Sequence, residues 1–250
     1  MESLIRQKLA DVCQQAGAES LYAVESGSRA WGFASPDSDY DIRFVYRHPL
    51  DWYLSVSQGR DVIEAMLDPD LDYAGWDLKK ALMLLRKSNP SLLEWLNSPI
   101  VYQQDEAFMQ DFRNLADECT CMTTCLHHYL NTAKSNWNSY FVSDSVRLKK
   151  YLYVLRPLFA CRWIERSGSV PPVLFSDLVS SVGEPGGVAD EVAEILAQKA
   201  VTSELGYVPR RDLLDTFIIH EIERISELQV QRKEPVAMER LNEFFRTHIH

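Results

Sequence analysis

Along the first hundred residues the spacing of apolar positions alternates between two periods. Leu4, Ile5, Leu9, Val12 and Cys13 recur at helical spacing with charged residues between them, which predicts an amphipathic N-terminal helix. "SLYAVESG" then reads as a strand ending at Gly27, "SPDS" at 35–38 as a turn, and Asp39 to Tyr46 as a second strand. "DVIEAML" and "LDYAGW" predict two further strands joined by Asp68-Pro69-Asp70. A helix begins near Asp77 in "DLKKALMLLRKS". Asn89-Pro90 opens another, with Asn89 as N-cap and Pro90 in the first helical position.

From about residue 105 the helical period takes over, across 105–140, 144–166, 189–200, 210–230 and 235–247, and no strand is expected there. Breaks fall at "SGSVPP" (167–172) and "SVGEPGGVAD" (181–190). The fold class expected is α+β, with an α/β domain over 1–104 followed by an all-helical domain over 105–250.

One predicted strand carries unusual chemistry. With period-2 geometry, Asp39, Asp41, Arg43 and Val45 share one face, and Tyr40, Ile42, Phe44 and Tyr46 the other. The aromatic face should pack on a helix. The first face holds two carboxylates with Cα atoms roughly 6.6–6.8 Å apart, close enough to converge on a divalent cation. Without a cation they would repel, and one would tend to protonate. Just ahead lies Gly27-Ser28, where glycine lets backbone approach an anion and the serine hydroxyl can donate to phosphate. A phosphate-holding turn beside a metal-holding carboxylate pair is what phosphoryl or nucleotidyl transfer requires. Each signal alone is commonplace; the order and spacing make the combination specific. Arg43 shares the acidic face and can either neutralise an aspartate or approach a phosphate.

Composition sets limits on partners. The 250 residues are 46% hydrophobic and 25% charged, which is ordinary globular composition. A net charge of −10 disfavours broad polyanion binding, so any nucleic-acid contact needs a local basic patch or a metal. Five scattered cysteines fit a reducing compartment, and the N-terminus lacks the unbroken apolar run of a signal peptide. No segment reaches the apolar length of a membrane span. A cytoplasmic chain with no membrane partner is the expectation. Oligomeric state has no signature here.

"GSRAWGFASPDSDYDIRFVY" resembles the signature of the DNA polymerase β-like nucleotidyltransferase superfamily: glycine-serine, about ten intervening residues, then two aspartates separated by one. The wider run is similar to a bacterial and phage branch that shares "GSRAxGFxSPDSDYD", "GWDLKKAL" (Gly75–Leu82), "NP…EWL" (Asn89–Leu96) and "KKYLYVLRPL" (Lys149–Leu158). The resemblance spans roughly residues 20 to 165. It implies a small mixed sheet with flanking helices, Mg²⁺ (or Mn²⁺) on Asp39 and Asp41, and Gly27 and Ser28, with Arg29, on the phosphates of a nucleoside triphosphate such as ATP. It also implies a third carboxylate that acts as base and completes the metal site. Asp77 in "GWDL" is the first choice, ahead of Asp72, which faces the opposite way in a regular strand, and Glu64. The plain alternative for Asp77 is a helix N-cap. Some members lie in gene neighbourhoods linked to RNA repair, which suggests RNA ends as acceptor, ahead of a protein or a small molecule.

In "DSVRLKKYLYVLRPLFACRWI", Val146, Leu148, Leu152, Leu155 and Phe159 mark a buried stripe, while Lys149, Tyr153 and Arg156 fall on another face. Those cations can meet triphosphate oxygens or simply form a solvated face, and the resemblance favours Lys149. Pro157 is expected to kink or break this helix. Cys121, Cys125 and His128 share a helical face and admit a zinc reading, although buried small hydrophobes are the usual role of such cysteines. Core packing is the default for Trp31, Trp76, Trp95, Trp137 and Trp163 over base stacking. The function expected is metal-dependent transfer of a nucleoside monophosphate to an acceptor hydroxyl with release of pyrophosphate. The alternatives are a regulatory, antitoxin-like nucleotide-binding module, an enzyme that modifies protein, and a phosphohydrolase.

Overall fold

The computed structural model describes residues 1–57, 59–182, 187–201, 206–228 and 234–249; part of the expected 181–190 break lies outside them. The first elements are α1 (Glu2–Ala16), β1 (Glu19–Glu25), the single turn α2 (Gly27–Ala30), β2 (Tyr40–Arg47) and α3 (Leu50–Tyr53). Then come β3 (Val62–Asp68), β4 (Leu71–Asp77), α4 (Leu78–Arg86), α5 (Pro90–Leu96), β5 (Val101–Gln104) and α6 (Glu106–Cys119). The remainder comprises α7 (Met122–Tyr140), β6 (Ser145–Arg147), α8 (Lys149–Ser167), α9 (Phe175–Val182), α10 (Val188–Val201), β7 (Tyr207–Pro209), α11 (Asp212–Ser226) and α12 (Met238–His248). The architecture is α+β, with a mixed sheet and a helical C-terminal region.

The chain packs as two compact units. One holds Met1–Gly27, Asp39–Thr120 and Glu234–His250, the other Ser28–Ser38 and Cys121–Lys233. In the first, five strands run in the order β3-β4-β2-β1-β5. β2 and β4 pair in parallel; β1–β2, β1–β5 and β3–β4 are antiparallel. Ile5, Leu9, Val12 and Cys13 of α1 lie on Ala23, Ile42, Phe44, Tyr46, Leu71 and Tyr73, so the aromatic face of β2 is the helix-covered one, as its period requires. Burial of these side chains, roughly 1.5–3 kcal/mol each, is the main force holding α1 on the sheet. Gly75 is dictated by packing, because a Cβ there would sit 2.2 Å from the Phe44 ring. Asn89 caps α5 by accepting from the Leu92 N–H at 3.1 Å, with Pro90 in the first turn.

The second unit is built on α8, whose Tyr151, Leu152, Val154, Leu155, Leu158 and Phe159 are all fully buried. That burial all round exceeds the single stripe the sequence suggests and marks a central helix. Of the kink or break expected at Pro157, the break does not occur: α8 continues to Ser167. A proline at 157 leaves the Tyr153 carbonyl without its helical donor, and the Asn136 side-chain amide of α7 supplies one at 3.2 Å. The expectation of no strand after 105 is also corrected. Val146 pairs with Val208 in a short β6–β7 ribbon. Three-residue strands are too short to display a period. The expected 105–140 helix is two helices, α6 and α7, broken at Thr120-Cys121.

Candidate functional site

β2 brings the acidic face together with β4. In the parallel ladder Asp41 is the register partner of Asp72 and Tyr46 that of Asp77. Paired residues project to one side, so the Asp41 and Asp72 carboxylates stand together. One terminal nitrogen of Arg43 donates to Asp41 Oδ1 and to Asp72 Oδ2, both at 2.8 Å. The other terminal nitrogen donates to the Ile42 and Asp72 carbonyls at 3.2 and 3.0 Å. Asp39 precedes β2 by one residue and is exposed.

Gly27 meets this pair from β1. Its φ is +60°, and a Cβ built there would lie 2.0 Å from Asp41 Oδ2. Glycine is therefore required twice, for the left-handed backbone and for the carboxylate lying against it. Two hydrogen bonds fix the approach. The Ser26 N–H donates to the Asp41 carbonyl at 2.9 Å, and the Asp41 N–H donates to Glu25 Oε1 at 2.8 Å. Glu25 is fully buried and takes a further short hydrogen bond from the Tyr102 hydroxyl on β5. Sequence reading missed both Glu25 and Tyr102; a glutamate at the end of an otherwise apolar strand was the available signal.

Asp77 is separated from the pair, five residues along β4 from Asp72, roughly 16 Å at strand rise. Its side chain caps α4, accepting from the Lys79 N–H at 2.8 Å and from the Tyr53 hydroxyl at 2.8 Å. Burial raises its pKa above the usual carboxylate value, against the Tyr53 and Lys79 hydrogen bonds that lower it. Asp72, the second choice from sequence, occupies the place beside Asp41. Glu64 lies on β3 opposite Ala74 and is paired with Arg60 at 3.0 Å.

The other candidates belong to the helical unit. The chain enters that unit between Gly27 and Ser28 and leaves it between Ser38 and Asp39, so the signature contributes to both. Ser28 is buried, and its carbonyl accepts from the Phe33 N–H at 3.0 Å. Arg29 donates to the Ser38 carbonyl at 2.7 Å, folding the segment on itself. Ser35 and Ser38 close the predicted turn through hydroxyl and backbone bonds of 2.8–3.0 Å. Buried Lys199 of α10 reaches Ser35 Oγ at 3.3 Å, a cation the sequence did not single out. Arg156 is buried, not solvated; its guanidinium lies 4.5 Å from the Trp31 ring centre and donates to the Val173 carbonyl at 3.3 Å. Lys149 opens α8, half-buried, and Lys150 lies 3.5 Å from the Tyr140 ring centre.

Among the described residues, no group of three or more His, Cys, Asp or Glu side chains is arranged to hold a metal ion. Cys121 and Cys125 are buried while His128 is exposed, so the zinc reading has no assembled site. The Asp41–Asp72 donor set is nonetheless of the right chemistry for Mg²⁺ or Mn²⁺: hard carboxylate oxygens on adjacent strands that already share one cationic group, the Arg43 guanidinium. No described helix is long and apolar enough to cross a membrane.

Comparison with known proteins agrees with the signature. The uncharacterized protein YcgL of Bacillus subtilis (strain 168) is 43% identical over 233 residues, covering 93% of this chain and 90% of its own. A crystal structure of a nucleotidyltransferase-like protein from Exiguobacterium sibiricum 255-15 aligns with 90% of this chain and 73% of that one. Its TM-score of 0.32 and 13% identity make it too distant to carry an argument. The model of the RNA repair pathway DNA polymerase beta family (RlaP) matches residues 1–247, and the chain belongs to that family.

Proposed function

We propose that this nucleotidyltransferase-like protein is a divalent-metal-dependent enzyme that moves a nucleoside monophosphate from a triphosphate to an acceptor hydroxyl, with RNA ends as the acceptor. The observation that carries the reading is the Asp41 carboxylate, seated against Gly27 and beside Asp72. The RNA acceptor rests on the family's description alone.

In this reading Asp41 and Asp72, with Asp39, hold Mg²⁺ or Mn²⁺, which when bound supplies charge stabilisation for the triphosphate and the leaving pyrophosphate. Gly27, at φ +60°, takes the left-handed turn that lets the Asp41 carboxylate lie against the backbone, which a Cβ would displace. Asp72 replaces Asp77 as the carboxylate that takes the acceptor proton, because Asp77 is committed to the α4 cap. Bond formation to the α-phosphorus and departure of pyrophosphate then follow in line.

The test is transfer from each α-labelled triphosphate to short RNAs with Mg²⁺ or Mn²⁺. Label on RNA in the wild type, absent in Asp41→Asn and Asp72→Asn, supports the reading. Label on protein instead would move the acceptor to a protein hydroxyl, and full turnover by Asp41→Asn would remove the site assignment altogether.

A further inference from the structure

We propose that Arg43 is an internal counter-cation that excludes metal from the Asp41–Asp72 gap until a triphosphate draws its guanidinium away, which couples metal binding to nucleotide binding. The proposal rests on the metal-dependent reading above and deepens it.

A single nitrogen of Arg43 is shared by both carboxylates at 2.8 Å, so its charge lies between the two groups that a cation would have to bridge. The opposite edge of the guanidinium is pinned by two backbone carbonyls, which holds it there in the absence of any other charge. Two adjacent carboxylates need such a charge, since without it they repel each other. A divalent ion and a guanidinium cannot both occupy the gap, because like charges a few ångströms apart in a partly sheltered site repel strongly.

The accessibilities fit displacement. The Arg43 side chain is 18% exposed, against 28% for Asp41 and 38% for Asp72, so the carboxylates are open to an ion while the guanidinium is sheltered. A sheltered guanidinium released from its carboxylates needs another anion, since an unpaired charge there is costly. A triphosphate offers oxygens in the geometry that arginine prefers. Metal and nucleotide therefore each favour the other's binding, as a coupling between two ligands demands.

Mn²⁺ binding without nucleotide, read from the electron paramagnetic resonance signal of the free ion, separates the possibilities. Arg43→Gln is expected to bind Mn²⁺ about tenfold or more tightly than the wild type, with Asp72→Asn weaker than both. Equal affinity in wild type and Arg43→Gln, with Asp72→Asn still weaker, overturns the role of Arg43 and leaves the metal site standing. Binding that is the same in the wild type and both variants overturns the metal site along with it. If Arg43→Gln does not fold, Arg43→Met decides: it keeps an apolar stem but removes the charge from between the two carboxylates. Its Mn²⁺ affinity should exceed the wild type's, and an affinity at or below the wild type's overturns the proposal.

Discussion

Asp41 and Asp72 face each other across the parallel β2–β4 ladder, while Asp77, five residues further along, partners Tyr46. The two candidate third carboxylates therefore make opposite predictions. Asp72→Asn should reduce nucleotidyl transfer by about 10²-fold or more with little change in stability, since its side chain is partly exposed. Asp77→Asn should leave turnover within a few-fold, because an amide oxygen can still accept from the Lys79 N–H. Steady-state rates of both variants decide, and inactivity confined to Asp77→Asn would return the catalytic role to that residue.

Gly27→Ala should be far more harmful than an ordinary glycine substitution. The left-handed backbone costs roughly 1–2 kcal/mol for alanine. The new Cβ would also collide with Asp41 Oδ2, displacing the carboxylate that the reaction needs. Urea denaturation should show a loss near that backbone figure, while transfer activity falls to background. A variant that is destabilised yet active would mean the Asp41 position is not critical.

Tyr102→Phe tests the support beneath Asp41. The Tyr102 hydroxyl donates to Glu25, whose other oxygen holds the Asp41 N–H. Removing a donor to a buried carboxylate should cost about 1–3 kcal/mol, measurable by urea denaturation. A negligible change would show that other groups around Glu25 take over.

How much of this was legible in the sequence varies with range. The α1 stripe, the β3–β4 pair and the Asn89-Pro90 start are encoded within a few residues, and periodicity or capping chemistry shows them. The Asp41–Asp72 pairing is not, because it joins two strands in parallel with β3 between them in sequence, and no local period specifies that register. Asp77 attracted attention for a sound local reason, an acid ahead of an amphipathic helix, and that reason proved to be the cap. Arg156 likewise lies at the spacing of a solvated face, while its partners, the Trp31 ring and the Val173 carbonyl, are distant in sequence.

Asn136 and Pro157 should be coupled although they sit on different helices. The Asn136 amide satisfies the Tyr153 carbonyl that Pro157 deprives of a helical donor. Asn136→Ala should cost about 1 kcal/mol or more in the wild type. In a Pro157→Ala background the restored N–H can serve that carbonyl, so the cost should shrink. Urea denaturation of the four proteins in a double-mutant cycle measures the difference, and strictly additive changes would rule out the exchange of donors.

The stability contribution of Asp77 should depend on pH with a definite sign. Burial is the largest influence on it and raises its folded-state pKa above the ordinary carboxylate value of about 3.9, despite the hydrogen bonds from Tyr53 and Lys79. A raised folded pKa means the native state holds the proton more tightly than the unfolded chain. The contribution is therefore complete below the unfolded pKa and is lost as pH rises through the folded one. Asp77→Asn carries no titrating proton and keeps one oxygen as the cap acceptor, while its amide NH2 can donate to the Tyr53 hydroxyl. Relative to wild type it should gain stability between pH 4 and the raised pKa of Asp77 and hold that gain at pH 7. Urea denaturation of both proteins at half-unit steps from pH 4 to 8 gives the curve. A wild type that gains on the variant as pH rises would show that the cap and Tyr53 stabilise the charged carboxylate more than burial penalises it.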